Sequence, residues 1–249
     1  MKKLLSIITL FGILTTLLTG CGTSNSKILK TYDDAFKMLQ NADSINSVMQ
    51  MNTTIRYNGK VDEFIKNENV SEQLKNGVTT AATKESASKM VDVTTALKSY
   101  YANGTLYSDE NGVKYRKDLE PDKVSALRYL MKFDGKAVKS YRPSKTETGS
   151  QIIFTVSGNT LLDPLSSILF DSVPDLDSKG QAISISDVSY IVKINKSGQI
   201  TDVTASSTFK LDNNNIKKNI TLNYSIEFKN INQAYTPVDI DESAYPPLK

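Results

Sequence analysis

Apolar residues fall on every second position through most of one stretch of about forty residues near the C-terminus, "SDVSYIVKINKSGQITDVTASSTFKLDNNNIKKNITLNYSIEFKNI". A period of two is the mark of a β-strand that buries one face and wets the other. The first strand puts Val188, Tyr190, Val192 and Ile194 on one side, and "KSGQ" turns the chain. The second strand carries Val203, Ala205, Phe209 and Leu211, with Ser207 on the same side. "DNNN" turns it again, and the third alternates Ile220, Leu222, Tyr224, Ile226 and Phe228 with Thr, Asn, Ser and Glu. Three such antiparallel strands form a sheet with one apolar face, which must be covered.

Upstream segments supply the rest of the sheet and its cover. In "ILKTYDDAFKMLQNADS" the apolar residues Leu29, Tyr32, Phe36 and Leu39, with Ala42, recur at three- and four-residue intervals. That spacing predicts an amphipathic helix. "VMQMNTTIRYNGK" alternates Met49, Met51, Thr53, Ile55 and Tyr57 and ends on Asn58-Gly59, a tight-turn signal. "KVDEFIKNENVSEQLKNG" reads as a short helix or a long charged loop. "VTTAATKESAS" reads as a polar edge strand, and "KMVDVTTAL" as another strand. "TLYS" and "VKYRK" flank "DENG" as a hairpin.

Two further helices are expected. "PDKVSALRYLMKF" has Pro121 at a helix start, with Val124, Leu127 and Leu130 or Met131 on one face. "TLLDPLSSILFDSV" should start near Pro164 and turn Leu165, Ile168 and Leu169 inward. Between them "SQIIFTVSGN" forms a strand with Ile152, Phe154 and Val156 on one side. The Pro-rich tail "AYTPVDIDESAYPPLK" is expected across a sheet edge. The fold class is α+β: a curved antiparallel sheet with two or three helices packed on its apolar face. No repeat and no Gly/Ser linker divides it, so residues 28–249 read as a single domain.

The N-terminus gives an address. Lys2 and Lys3 precede "LLSIITLFGILTTLL", about 15 residues long and short of the ~20 that a transmembrane helix needs. "LTGC" then resembles a bacterial lipobox, with Gly20 at −1 and Cys21 at +1. The resemblance implies a signal peptide over residues 1–20, cleavage between Gly20 and Cys21, and acylation of the Cys21 thiol. Residues 21–27 would be a lipidated cysteine and flexible tether. The chain carries 30 basic and 27 acidic residues; without Lys2 and Lys3 the basic count is 28 and the net charge +1. A near-neutral chain with no basic run argues against a nucleic-acid partner. Cys21 is the one cysteine, so no disulfide shapes the fold.

The N-terminal helix, "VMQMNTTIRYNG", the "YANGTLYSDENGVKYR" hairpin and the closing meander together resemble the layout of the bacterial carriers LolA and LppX. Those are half-barrels in which a sheet wraps around helices, a layout similar to that of many lipoproteins of low-GC Gram-positive bacteria whose function is unassigned. The resemblance covers most of residues 28–240, fits residues 60–90 poorly, and carries no diagnostic catalytic or ligand motif. Together with the lipobox, it points to a lipid-anchored protein on the extracytoplasmic face of the plasma membrane. It also implies a cavity between sheet and helices for a lipid or a lipidated protein, on the order of several hundred Å³. The candidate lining is Met49, Met51, Ile55, Phe154, Tyr190, Val192, Phe209, Leu222, Tyr224 and Ile226. The competing reading is a cell-envelope interaction or structural module with a filled core.

Catalytic chemistry finds little support. The chain has no histidine, which removes His-dependent nucleophilic catalysis and the common zinc sites. Ser86 to Lys89, "SASK", matches Ser-x-x-Lys without the companion elements of penicillin-binding enzymes. "DLDSKG", Asp175 to Gly180, begins like a calcium loop but has Lys179 at position five and Ser186 at position twelve. No Gly-rich phosphate loop is present. The expectation is a non-enzymatic protein without cofactor or metal.

Overall fold

The computed structural model describes residues 25–90, 93–174, 176, 182–213 and 216–248. The signal region, Gly20, Cys21 and most of Asp175–Gly180 lie outside the described residues.

The chain enters through helix α1 (Asn25–Gln40) and then runs β1 (Ser44–Tyr57), β2 (Lys60–Lys75), β3 (Val78–Met90), β4 (Val93–Ala102), β5 (Thr105–Glu110) and β6 (Val113–Asp118). A crossover follows, with a single helical turn α2 (Pro121–Val124) and a 3-10 turn at Ala126–Tyr129. The chain then forms β7 (Val138–Thr146), β8 (Gly149–Val156), helix α3 (Gly158–Ser172), β9 (Ala182–Ile185), β10 (Val188–Asn195), β11 (Ile200–Asn213) and β12 (Ile216–Lys229). One antiparallel sheet takes all twelve strands in the order β6-β5-β4-β3-β2-β1-β12-β11-β10-β8-β7, with β9 beside the far end of β11.

Local chemistry explains the meander. Four Asn-Gly pairs (58–59, 76–77, 103–104, 111–112) make the tight turns, and both residues of each have positive φ. That conformation matches the twist of the paired strands, and Asn and Gly tolerate it best. Both sheet edges are guarded. At β6 the C-terminal tail docks: the Arg116 N–H donates to the Pro246 carbonyl and the Leu248 N–H to the Arg116 carbonyl. Tyr245 of the tail is buried against Tyr107, with ring centroids 5.7 Å apart. At β7, Pro143 removes a donor, and Lys139, Arg142 and Lys145 charge the edge.

The core lies on one face. Ile28, Tyr32, Ala35 and Leu39 of α1 and Leu161, Leu165, Ile168 and Leu169 of α3 join the inward residues of β1, β8 and β10–β12 in one buried cluster. A smaller cluster of Ala82, Tyr101, Leu106 and Val124 sits under the start of the crossover.

Several sequence expectations need correction. Residues 60–75 form a 16-residue interior strand, not a helix or a loop. Val78–Met90 is an interior strand between β2 and β4, not an edge, and "KMVDVTTAL" spans the junction of β3 and β4. The helix expected over 121–131 breaks at Ser125 and Leu130, which are extended. Helix α3 starts at Gly158, six residues before Pro164, which lies inside it. Leu29 and Phe36 of α1 flank its buried stripe and are only half-covered, while Ile28 and Ala35 are buried.

Candidate functional site

Register brings the ten predicted apolar residues onto one face. Phe154 pairs with Tyr190, Tyr190 with Ala205, Ala205 with Tyr224 and Tyr224 with Met51, a row across five strands. Val192, Ile226 and Met49 lie in the next row, and Phe209, Leu222 and Ile55 lie beyond on the other side. None is more than 5% exposed.

The face is covered by aromatic packing. The Tyr32 ring stacks on Phe133 at 5.2 Å and meets Phe154 and Tyr190 edge-on at 5.6 and 6.1 Å. Phe133 contacts Phe154 at 5.2 Å and Tyr190 at 5.6 Å. Surface hollows lie elsewhere. One of about 500 Å³ is lined by Tyr101, Leu119 and Pro121 at the crossover's start. Another, of about 360 Å³, opens on the outer face of the sheet, where Met51 and Tyr224 touch it beside Gln50, Asn52 and Asn223.

The crossover Ser125–Phe133 is an irregular segment laid through the core. Buried backbone polar groups need partners, and side chains from distant strands provide them. Tyr224 Oη donates to the Tyr129 carbonyl at 2.9 Å, and Tyr32 Oη donates to the Met131 carbonyl. The Met131 N–H donates to Tyr190 Oη at 3.0 Å, and the Ala126 N–H donates to Glu72 Oε1 at 3.1 Å. Burial pushes the Tyr190 phenol up to about 12 and raises Tyr32, Tyr129 and Tyr224 as well, so all four stay neutral hydroxyls.

Beside this segment lies a charge cluster that sequence reasoning missed. Glu68 is 2% exposed; its Oε1 lies 2.8 Å from Lys66 Nζ and 2.6 Å from Lys84 Nζ. Its Oε2 accepts from Tyr129 Oη at 2.9 Å. Burial works to raise the Glu68 carboxyl, but the ammonium groups of Lys84 and Lys66 outweigh it and hold the group well below the usual carboxylate range. Among the described residues no cation contacts Glu72, which is fully buried; Thr79 Oγ1 donates to its Oε2 at 2.7 Å, and burial raises its carboxyl. Further along, Arg128 and Lys123 clamp Asp171 of α3 at 2.7 and 3.0 Å.

The signal for these residues was the spacing of Asn58-Gly59 and Asn76-Gly77, two hairpin turns with sixteen residues between. The even positions Phe64, Lys66, Glu68, Val70, Glu72 and Leu74 share the inward face of that strand.

Chemically the arrangement holds and orients; its hydroxyls and carboxylates are used in fixing the crossover. Ser86 and Lys89 lie three apart on strand β3 and so point to opposite faces, which separates the pair. No cluster of three potential metal ligands occurs among the described residues.

No family model matches the chain, and no curated protein matches it. Among solved structures, it is similar to LprF from Mycobacterium bovis, with 14% identity over 88% of this chain and 99% of that one, TM-score 0.46. It is also similar to a DUF1329 family protein from Desulfovibrio piger, with 10% identity over 80% and 92%, TM-score 0.28. A third is an outer membrane lipoprotein-sorting protein domain from Vibrio parahaemolyticus, with 10% identity over 88% and 97%, TM-score 0.27. At these values no residue role is carried from any of them to this chain.

Proposed function

We propose that this chain is a non-enzymatic, lipid-anchored protein on the extracytoplasmic face of the plasma membrane. Its mature form begins at Cys21, and its half-barrel of the LolA/LppX type takes an acyl chain, free or attached to a client protein, on the apolar face of the sheet. The observation that carries this reading is the crossover. A segment across a large apolar face that has only one 3-10 turn of its own and is held to the sheet by side-chain hydrogen bonds is a cover that can be displaced as a unit. Displacing it together with α1 uncovers Met51, Phe154, Tyr190 and Tyr224, a surface matched to a hydrocarbon chain.

The second reading is an envelope interaction module whose core stays filled. It is favoured by the near-complete burial of the same ten residues.

Native mass spectrometry of the full chain, exposed to membrane lipid and released from detergent, separates the two. The carrier reading expects a bound lipid in addition to the acyl groups on Cys21, and its loss in Ala205→Trp, which fills the row between Tyr190 and Tyr224. No bound lipid on the unsubstituted chain would favour the filled module.

A further inference from the structure

Helix α1 fixes which end of the sheet meets the membrane. Its last turn lies at one end of the sheet: Met38 is beside Gly198 in the β10–β11 turn, and Gln40 is beside Gly77 in the β2–β3 turn. Its N-terminus therefore points toward the opposite end, where the β1–β2 turn at Asn58-Gly59 lies. Tyr32 meets Tyr190, whose row includes Met51.

Heights can be compared from that row. Seven strand residues separate Met51 from Asn58, about 23 Å of rise at ~3.3 Å each. Seven helical residues separate Tyr32 from Asn25, about 10 Å at 1.5 Å each. Asn25 follows Cys21 by four residues, a span of at most about 14 Å. Only at full extension does this tether bring Cys21 level with the tip of the β1–β2 hairpin, so any slacker tether leaves the tip the higher of the two.

We infer that this rim, led by the β1–β2 hairpin tip, rests on an anionic lipid surface. The inference depends on acylation of Cys21, as proposed above. The side chains at the tip suit an interface: Val61 is 56% exposed, unusual for a valine in a strand. Tyr57 has its hydroxyl on Asp62 at 2.8 Å, and Lys218 Nζ lies 6.0 Å over the Tyr57 ring. Lys60 follows the turn. At the hairpin tip an aromatic ring, a bare valine, Lys60 and Lys218 outnumber the acidic Asp62 and Glu63 as groups that partition into a headgroup layer.

The test uses the full chain in phosphatidylglycerol-containing vesicles. With Cys21 acylated, an introduced cysteine is the one free thiol, so an environment-sensitive dye can be placed at Val61→Cys and, as the opposite-end control, at Ser197→Cys. Vesicle flotation is measured on the same samples. The docked rim predicts several-fold stronger quenching by doxyl-labelled lipid at position 61 than at 197, reduced when Lys60→Glu and Lys218→Glu are added. Equal quenching at both positions in protein that floats overturns the docking alone. Protein that fails to float overturns the anchor and the docking with it. A dye at 61 shielded from aqueous iodide yet unreached by lipid quencher shows a protein on the tip and also overturns the docking.

Discussion

Tyr32 and Tyr190 hold the same residue from two sides: Tyr32 donates its hydroxyl to the Met131 carbonyl, while Tyr190 accepts from the Met131 N–H at 3.0 Å. Helix α1 and strand β10, 158 positions apart at these residues, thereby fix the middle of the crossover. The two contacts are unequal. Tyr190→Phe strands a buried N–H and is expected to cost about 1–3 kcal/mol, whereas Tyr32→Phe leaves a carbonyl and should cost about 1 kcal/mol. Urea midpoints at constant slope measure both.

The two buried glutamates should respond to acid in opposite senses. Glu68 has a folded pKa below its ordinary ~4.3, so its contribution is complete above that value and lost as pH falls through the lower folded value. Glu72 has a raised folded pKa, so its contribution is complete below ~4.3 and is lost as pH rises through that value toward the folded one. Glu68→Gln leaves Lys66 and Lys84 facing no anion and should cost about 3–5 kcal/mol at neutral pH. Glu72→Gln should cost less, and its deficit should shrink between pH 4 and pH 7. Denaturation of both variants at these two pH values checks the signs.

Close backbone approach makes two glycines, Gly149 and Gly158, irreplaceable. A Cβ on Gly149 would sit 2.0 Å from the Ile194 carbonyl oxygen, across the β8–β10 pairing that carries Phe154 to Tyr190. Gly149→Ala should shift β8 and lower thermal stability by several degrees, whereas alanine at Gly59, which has open space around it, should meet only the cost of its positive φ, about 1 kcal/mol. Thermal melts of the two variants compare a clash with a conformational preference.

Acylation predicts a processing defect. Cys21→Ala should leave the chain at its full length and without lipid, which intact mass resolves; a mature, lipidated product from that variant would refute the lipobox reading.

Strands β10–β12 were legible because their buried positions are apolar and their exposed ones polar, from Val188 to Phe228. Strand β2 was not, because its inward face carries Lys66, Glu68 and Glu72, which solve their burial through Lys84, Thr79 and the crossover. Those partners are remote or local in ways that hydropathy does not encode. The crossover failed for the converse reason. Val124, Leu127 and Leu130 have helical spacing, but Glu72, Tyr190 and Tyr224 satisfy its backbone and release it from being a helix. Pro164 signalled a helix start, yet α3 begins where Gly158 packs against the Ser186 carbonyl. The ten apolar candidates share one face, read from alternation alone; what covers them depends on Phe133 and Tyr32 meeting across about a hundred residues.

Amide hydrogen exchange at Ala126 and Met131 tests the displaceable cover most directly. In the lipid-free full chain both N–H groups are buried and bonded, to Glu72 and Tyr190, and should exchange slowly. When the chain is loaded with an acyl ligand, displacement of the crossover predicts at least a tenfold acceleration at both amides while β11 and β12 remain protected. Unchanged protection at Ala126 and Met131 in a lipid-loaded chain would contradict it.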